Sequence, residues 1–303
     1  MICCKRFKRA AALTLALSAG GCSLQHLAVD KAGAALAGNA SVVARDDDPD
    51  FIRAAAPFSL KLMESLLAQD PAQPGLLLAT ASGFTQYSYA FVQLDADRLE
   101  DQDYQAAAQL RERAKRLYLR ARNYGLQGLD AAHPHFAETL RRDPQAAAGA
   151  LRASDVPLLY WTAVAWAAAI SQAKDDPDLV GDLPLVDVLA GRASALDPDF
   201  GAGALQSFLI SYEMAREARP EVARAHFDQA VALSQGHRAA PYVALAEAVC
   251  VAQRARAEYL KVLEQALAID ADRYPDTRLE NLIEQRRARW LRDRVDELFL
   301  EKP

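Results

Sequence analysis

Apolar residues along most of this chain recur three and four positions apart, against a background rich in Ala, Leu, Arg, Glu and Gln. Clusters of β-branched residues and Asn-Gly turns are scarce, and prolines tend to separate the periodic segments. The pattern predicts an all-α chain. Helices are expected to begin near Leu24, Pro49, Pro74, Asp103, Pro157, Asp178, Ala202, Pro220, Pro241, Arg254 and Thr277, with a short one around Phe136. In Asp48-Pro49, Asp176-Pro177 and Asp197-Pro198 the acid is placed to cap free backbone N–H groups, while proline supplies the first-turn φ.

Two stretches depart from the prevailing pattern. Residues 71–94 and 156–173 contain no Lys, Arg, Asp or Glu, in a chain where 25% of residues are charged. Both are expected to be buried or to line a cavity. Phe84, Tyr87 and Phe91 fall at i, i+3 and i+7 on one helical face, with Gly83 and Ala90 permitting close helix approach. Tyr160, Trp161 and Trp166 crowd the second stretch. These six residues form either a solid aromatic core or the wall of an apolar tunnel, rimmed by Thr85, Gln86, Gln93 and Gln172. The second stretch reaches the length of a membrane span, but its alanines, Thr162, Ser171 and Gln172 favour a core helix.

The C-terminal half carries a weak repeat. The phrase ASALD at Ala193 to Asp197 recurs as AVALS from Ala230 and as ALAID from Ala266, with a period of about 36 residues. Ala223, Phe227 and the proline at Pro198 suit a tetratricopeptide helix pair, although the Trp and Gly of the usual first helix are missing. The expected architecture is a degenerate tetratricopeptide-like helical-repeat solenoid. Its end would be the charged stretch Asp276 to Arg294, read as a solvated capping helix with a salt-bridged surface.

At the N-terminus, Lys5, Arg6, Lys8 and Arg9 precede a short apolar run, Ala10 to Ala19, in the layout of an export signal. The sequel Ala19-Gly20-Gly21-Cys22 resembles a lipobox, with Ala19 where Leu is commoner. The expected division is a signal peptide at 1–21, a lipid-anchor linker and N-terminal helix at 22–48, and a helical domain at 49–303. Cys22 is the lipidation candidate, and multiple acyl chains would hold the protein on a membrane. Ser23, rather than Asp, favours the outer membrane over the inner one.

Composition then narrows the function. The formal net charge is −5, and loss of the four leader cations makes the mature chain more acidic, which disfavours a nucleic-acid partner. Cys3 and Cys4 leave with the leader and Cys22 is modified, so Cys250 remains without a disulfide partner, in an apolar run that reads as core. Asp46, Asp47, Asp48 and Asp50 lack the glycine and terminal acid of a calcium loop and read as capping residues. His133 and His135 lack further ligands nearby, so no metal site is expected. Glu213 and Glu247 stand in apolar surroundings, where burial beside an arginine is expected rather than catalysis. Neither a His-Glu-x-x-His nor a Gly-x-Ser-x-Gly motif occurs, and the chain is read as neither an enzyme nor a cofactor carrier.

Longer phrases carry a resemblance. SGFTQYSYAFVQ (Ser82 to Gln93), RLYLRARNYGLQGL (Arg116 to Leu129), DVPLLYWTA (Asp155 to Ala163) and KDDPDLVGDLP (Lys174 to Pro184) are similar to the TRAP transporter T component, TatT. The similarity continues through RPEVARAHFDQAVALS (Arg219 to Ser234), PYVALAEAVCV (Pro241 to Val251) and QRRARWLRDRVDELF (Gln285 to Phe299). The resemblance implies a periplasmic lipoprotein on degenerate tetratricopeptide repeats, able to form a homotrimer and to associate with a TRAP periplasmic solute-binding protein. It also implies a cleft or pore for a small hydrophobic or organic-acid ligand. The competing reading is a generic outer-membrane scaffold lipoprotein that docks envelope proteins and has a filled centre.

Overall fold

The computed structural model describes residues 40–299, so the leader, Cys22 and the helix expected near Leu24 lie outside the described residues. All regular structure among the described residues is helical. The chain opens with α1 (Ala40–Ala44) and α2 (Pro49–Leu67). It continues into α3 (Pro74–Ser88), which runs through a π-helical turn, Tyr89–Gln93, into α4 (Leu94–Leu99). The long α5 (Tyr104–Ala132) and two short helices, α6 (Phe136–Arg142) and α7 (Pro144–Ala150), precede α8 (Val156–Ser171). Then follow α9 (Pro177–Val180), α10 (Leu183–Leu196), α11 (Phe200–Glu217), α12 (Pro220–Leu233) and α13 (Ala240–Ala244). A second π-helical turn, Leu245–Cys250, leads to α14 (Arg256–Leu267), α15 (Arg278–Asp293) and α16 (Val295–Leu298).

Most starts follow the capping argument. Asp48 accepts hydrogen bonds from the N–H groups of Asp50 and Phe51, Asp103 from Ala106, and Asp176 from Leu179. Asp197-Pro198 is different: Asp197 closes α10, its N–H bonded to the Ala193 carbonyl, and α11 begins at Phe200. Gly201, Ala202 and Gly203 all have positive φ, so regular helix sets in only beyond them. The single helix expected from Asp178 is two, because Pro184 lacks an N–H and fits only a first turn, so the chain restarts at Leu183.

The two charge-free stretches form the centre of the N-terminal half, where α3 and α8 both pack on α5. By length and composition the helical stretch through α8 could cross a membrane, and about half of it is buried within this protein. Trp166, Tyr118 and Leu159 sit at its heart, essentially inaccessible to water. Close approach of α5 and α8 depends on Gly125, where a Cβ would lie 2.1 Å from the Thr162 hydroxyl.

The repeat in the C-terminal half marks real helix ends. α10, α12 and α14 start at Leu183, Pro220 and Arg256, 37 and 36 residues apart, and Ala193, Ala230 and Ala266 are each fully buried near their ends. At Ala230 the backbones approach closely: a Cβ on Gly203 of α11 would lie 2.8 Å from the Ala230 carbonyl oxygen.

One expectation is overturned: α15 is not a solvated cap. It buries Leu279, Asn281, Glu284, Gln285, Arg287, Ala288 and Leu291. Two amides fix it in place. Asn281 accepts from the Ala239 N–H and donates to the His237 carbonyl, and Gln285 donates to the Ala266 and Ile269 carbonyls. On its outer side Arg286 forks onto Asp50 of α2, and Arg45, just after α1, pairs with Asp276 at 2.7 Å, so α15 meets the start of the described chain. Such exposed pairs contribute little energy each, and the buried face of α15 carries the closure.

Candidate functional site

Where α15 meets the N-terminal half, polar side chains gather in the interior. α15 presents Glu280, Glu284 and Arg287 at i, i+4 and i+7, along one face. Opposite them, Tyr89 opens the first π-helical turn and Asp97 comes from α4, while Glu247 lies in the second π-helical turn. A π-helical turn accommodates an extra residue and re-aims the side chains around it, and such turns recur at functional sites. Here both turns supply a residue to the same cluster.

The geometry divides the cluster into engaged and unengaged groups. Arg287 donates through Nε at 3.1 Å and Nη2 at 2.6 Å to one oxygen of Glu247, and its Nη1 lies 3.0 Å from Asp97. Its guanidinium also covers the Trp290 ring at 4.3 Å. Burial opposes the charge on Arg287, but Glu247 and Asp97 outweigh it and hold the side chain firmly protonated. Arg238, on the segment before α13, forks onto Glu280 at 3.0 and 2.5 Å and also donates to the Gly201 carbonyl.

Glu284 has no such cation. The Tyr89 hydroxyl donates to its Oε2 at 3.3 Å, and no closer partner is present among the described residues. Burial pushes its carboxyl up to about 8, with Glu280 and Glu247 adding repulsion. Burial likewise lifts Tyr89 well above the usual phenol range. The side chains of Glu280 and Glu247 are 34% and 29% exposed, whereas Glu284 retains only 7%. Exposure therefore falls from Glu280 and Glu247, which still meet water, to Glu284, which is nearly dry.

Burial lifts the Tyr160 phenol above its usual range, with smaller contributions from Arg238 and Glu280. Its ring packs against Trp161 at 4.9 Å, Phe200 at 5.1 Å and Phe208 at 6.4 Å. Trp161 is its half-buried neighbour. Tyr87 and Phe91 form a second pair at 5.7 Å, with Arg53 over Phe91. Phe84 stacks on Tyr124 beneath Arg120. Trp166 is fully buried under Arg122 and Arg141. Thr85 turns its hydroxyl back to the Ala81 carbonyl, and Gln86 is exposed.

The remaining chemistry-bearing residues take structural places. Glu213 pairs with Arg219, and Glu247 with Arg287, as their sequence surroundings predict. His133 bonds to Asp155 at 2.8 Å, His135 is exposed, and no group of metal-binding side chains occurs among the described residues. Cys250 is buried, with its thiol pushed up to about 12 by burial. Tyr89, Arg238, Glu284 and Arg287 were not anticipated. The signal lies in α15, where Asn281, Glu284, Gln285 and Ala288 share one side with Leu291, a face whose charge hides its burial.

An uncharacterized protein of Treponema pallidum (strain Nichols) is 30% identical to this chain over 322 residues, covering 99% of this chain and 98% of its own length. The sequence model of the TRAP transporter T-component family matches residues 45–299, which includes both π-helical turns, α15 and every residue of the polar cluster. The chain belongs to the TRAP transporter T-component family.

Proposed function

We propose that this protein is a lipid-anchored periplasmic accessory component of a TRAP-type solute transport system, which binds the TRAP periplasmic solute-binding protein and a small ligand. The observation that carries the proposal is the family match across residues 45–299. In this reading residues 1–21 are the export signal, Cys22 bears the lipid, residues 22–48 form the linker and first helix, and residues 49–303 form one binding domain. Anchoring is to the outer membrane rather than the inner, following Ser23. The helix pairs spaced by 37 and 36 residues support a degenerate tetratricopeptide-like stack, and the family points to a homotrimer. The role is binding, without catalysis.

The ligand site of this reading is the interior cluster at Tyr89 and Glu284. A buried acid without a cation is destabilising, and a protein free of ligand demands would gain from an apolar residue there. A generic envelope scaffold, the alternative, would have no use for such a group. In-cell crosslinking, affinity capture and mass spectrometry test the proposal. It expects a TRAP-type solute-binding protein among the captured chains, with reduced capture when Cys22→Ala releases the anchor. Repeated capture of envelope-assembly proteins without a solute-binding protein would replace it with the scaffold.

A further inference from the structure

We infer that the outer face of α2 is a contact with a second copy of this chain, in which two α2 helices lie antiparallel about a two-fold axis. The inference goes beyond the proposed function: it holds with or without the transport role and concerns a contact separate from the homotrimer. α2 packs on α3 through one side, burying Pro49, Leu60 and Leu67. Its other side is apolar and open: Phe51 is 63% exposed, Phe58 74% and Leu62 38%. With Val42 and Val43 of α1 they make up all the large open apolar side chains among the described residues except Tyr104, so such surface is concentrated on the first two helices. A helix that is apolar on two sides calls for a partner on each, and α3 covers one.

The spacing selects a helix as that second partner. Phe51, Ala55, Phe58 and Leu62 follow one another at four, three and four residues, the a/d spacing of a short helix-pair seam, and none of them is charged. Reversed on itself, the seam is complementary. With Ala55 of each copy against Phe58 of the other, Phe51 comes opposite Leu62, so each ring meets a smaller side chain. Charge favours the same direction: Asp50 and Lys61 lie on one flank of the seam, and an antiparallel pair brings like flanks face to face, so Asp50 of each copy approaches Lys61 of the other. Both side chains are open to solvent; Asp50 holds Arg286 and Lys61 holds Glu64, and each keeps hydrogen-bonding capacity for a second partner. A parallel pair would set that flank against Ile52, Ser59 and Leu66, which carry no charge. A lipid surface fits less well, because Asp46, Asp47 and Asp48 precede the helix and Asp50 stands on its flank, whereas helices that lie in a membrane surface carry basic flanks.

Sedimentation equilibrium on the exported full chain carrying Cys22→Ala, which needs no detergent, tests this. Three large side chains a copy fall short of a standard interface, so association should appear over about 1–100 μM, the mass at the top of that range approaching twice that of Phe58→Asp. Phe58→Asp should keep the wild-type melting temperature at the lowest concentration, because most of Phe58 already faces water. Oxidising a mixture of the Ala55→Cys and Phe58→Cys chains should join one to the other by a disulfide, while Tyr104→Cys, open on α5, should join neither; the native Cys250 is buried and does not compete. A mass that stays constant over this range, a mass that rises equally in Phe58→Asp, or crosslinking through Tyr104→Cys in place of the seam would each overturn the inference. Binding to phosphatidylcholine vesicles that is lost in Phe58→Asp, without self-association, would give the face to a membrane instead.

Discussion

Replacing Glu284 by Gln removes a titrating group from the driest part of the site while keeping its size and an oxygen to accept the Tyr89 hydroxyl. Burial, with Glu280 and Glu247, raises the Glu284 carboxyl from an ordinary 4.5 to about 8. Between those values the folded protein holds a proton that the unfolded chain releases, so stability falls as pH rises through that window and levels off above it. At pH 7 the loss is about 3 kcal/mol, a large share of the 5–15 kcal/mol of a typical domain. The Glu284→Gln variant escapes the loss. It should match the wild type near pH 4.5 and melt roughly 6–12 °C higher at pH 7, with the gap widening by about another third to pH 8.5. Thermal unfolding followed by circular dichroism across that pH range reads the difference directly. A gap independent of pH, or a variant that loses stability relative to wild type as pH rises, would refute the reasoning.

Other substitutions probe the frame around the site. Gly125→Ala should destabilise by about 1–3 kcal/mol, since its Cβ would meet the Thr162 side chain at the α5–α8 crossing, and a lower urea midpoint would show it. Trp166→Ala should cost about 3–5 kcal/mol by the same measurement, as it empties the most buried large side chain. Arg287→Met should cost about 3–5 kcal/mol, because Glu247 and Asp97 lose the cation that compensates them; an unchanged midpoint would contradict the pairing. Cys250 should resist iodoacetamide in the native protein at neutral pH and react after unfolding, read by mass spectrometry.

The helices and the site were not equally legible in the sequence. Helix starts such as Pro49, Pro74 and Pro220 were readable because capping acids and first-turn prolines act within a few residues. The buried Ala193, Ala230 and Ala266 were readable as a repeat because each helix end meets a similar neighbour. The charge-free stretches correctly marked burial around Trp166 and Phe84, since no acid or base there needed a partner.

The polar cluster was hidden for a physical reason. Its partners lie 40 to 195 residues apart, Glu247 from Arg287 and Tyr89 from Glu284, so no local spacing announces them. A charged helix such as α15 has the same composition whether water or another carboxylate satisfies it, and only the docking of Asn281 and Gln285 decides which face is dry. The π-helical turns at Tyr89 and Leu245 break the 3.6-residue period that sequence reading relies on.

The central claim is an accessory role in TRAP-type uptake, exercised through contact with a solute-binding protein. Mixing the purified chain with the TRAP-type solute-binding protein of the same cell, followed by size-exclusion chromatography with light scattering, tests it most directly. The account predicts a co-eluting complex at micromolar concentration, with a mass containing both chains. Separate peaks at concentrations of about 100 μM, with both proteins folded, would contradict it.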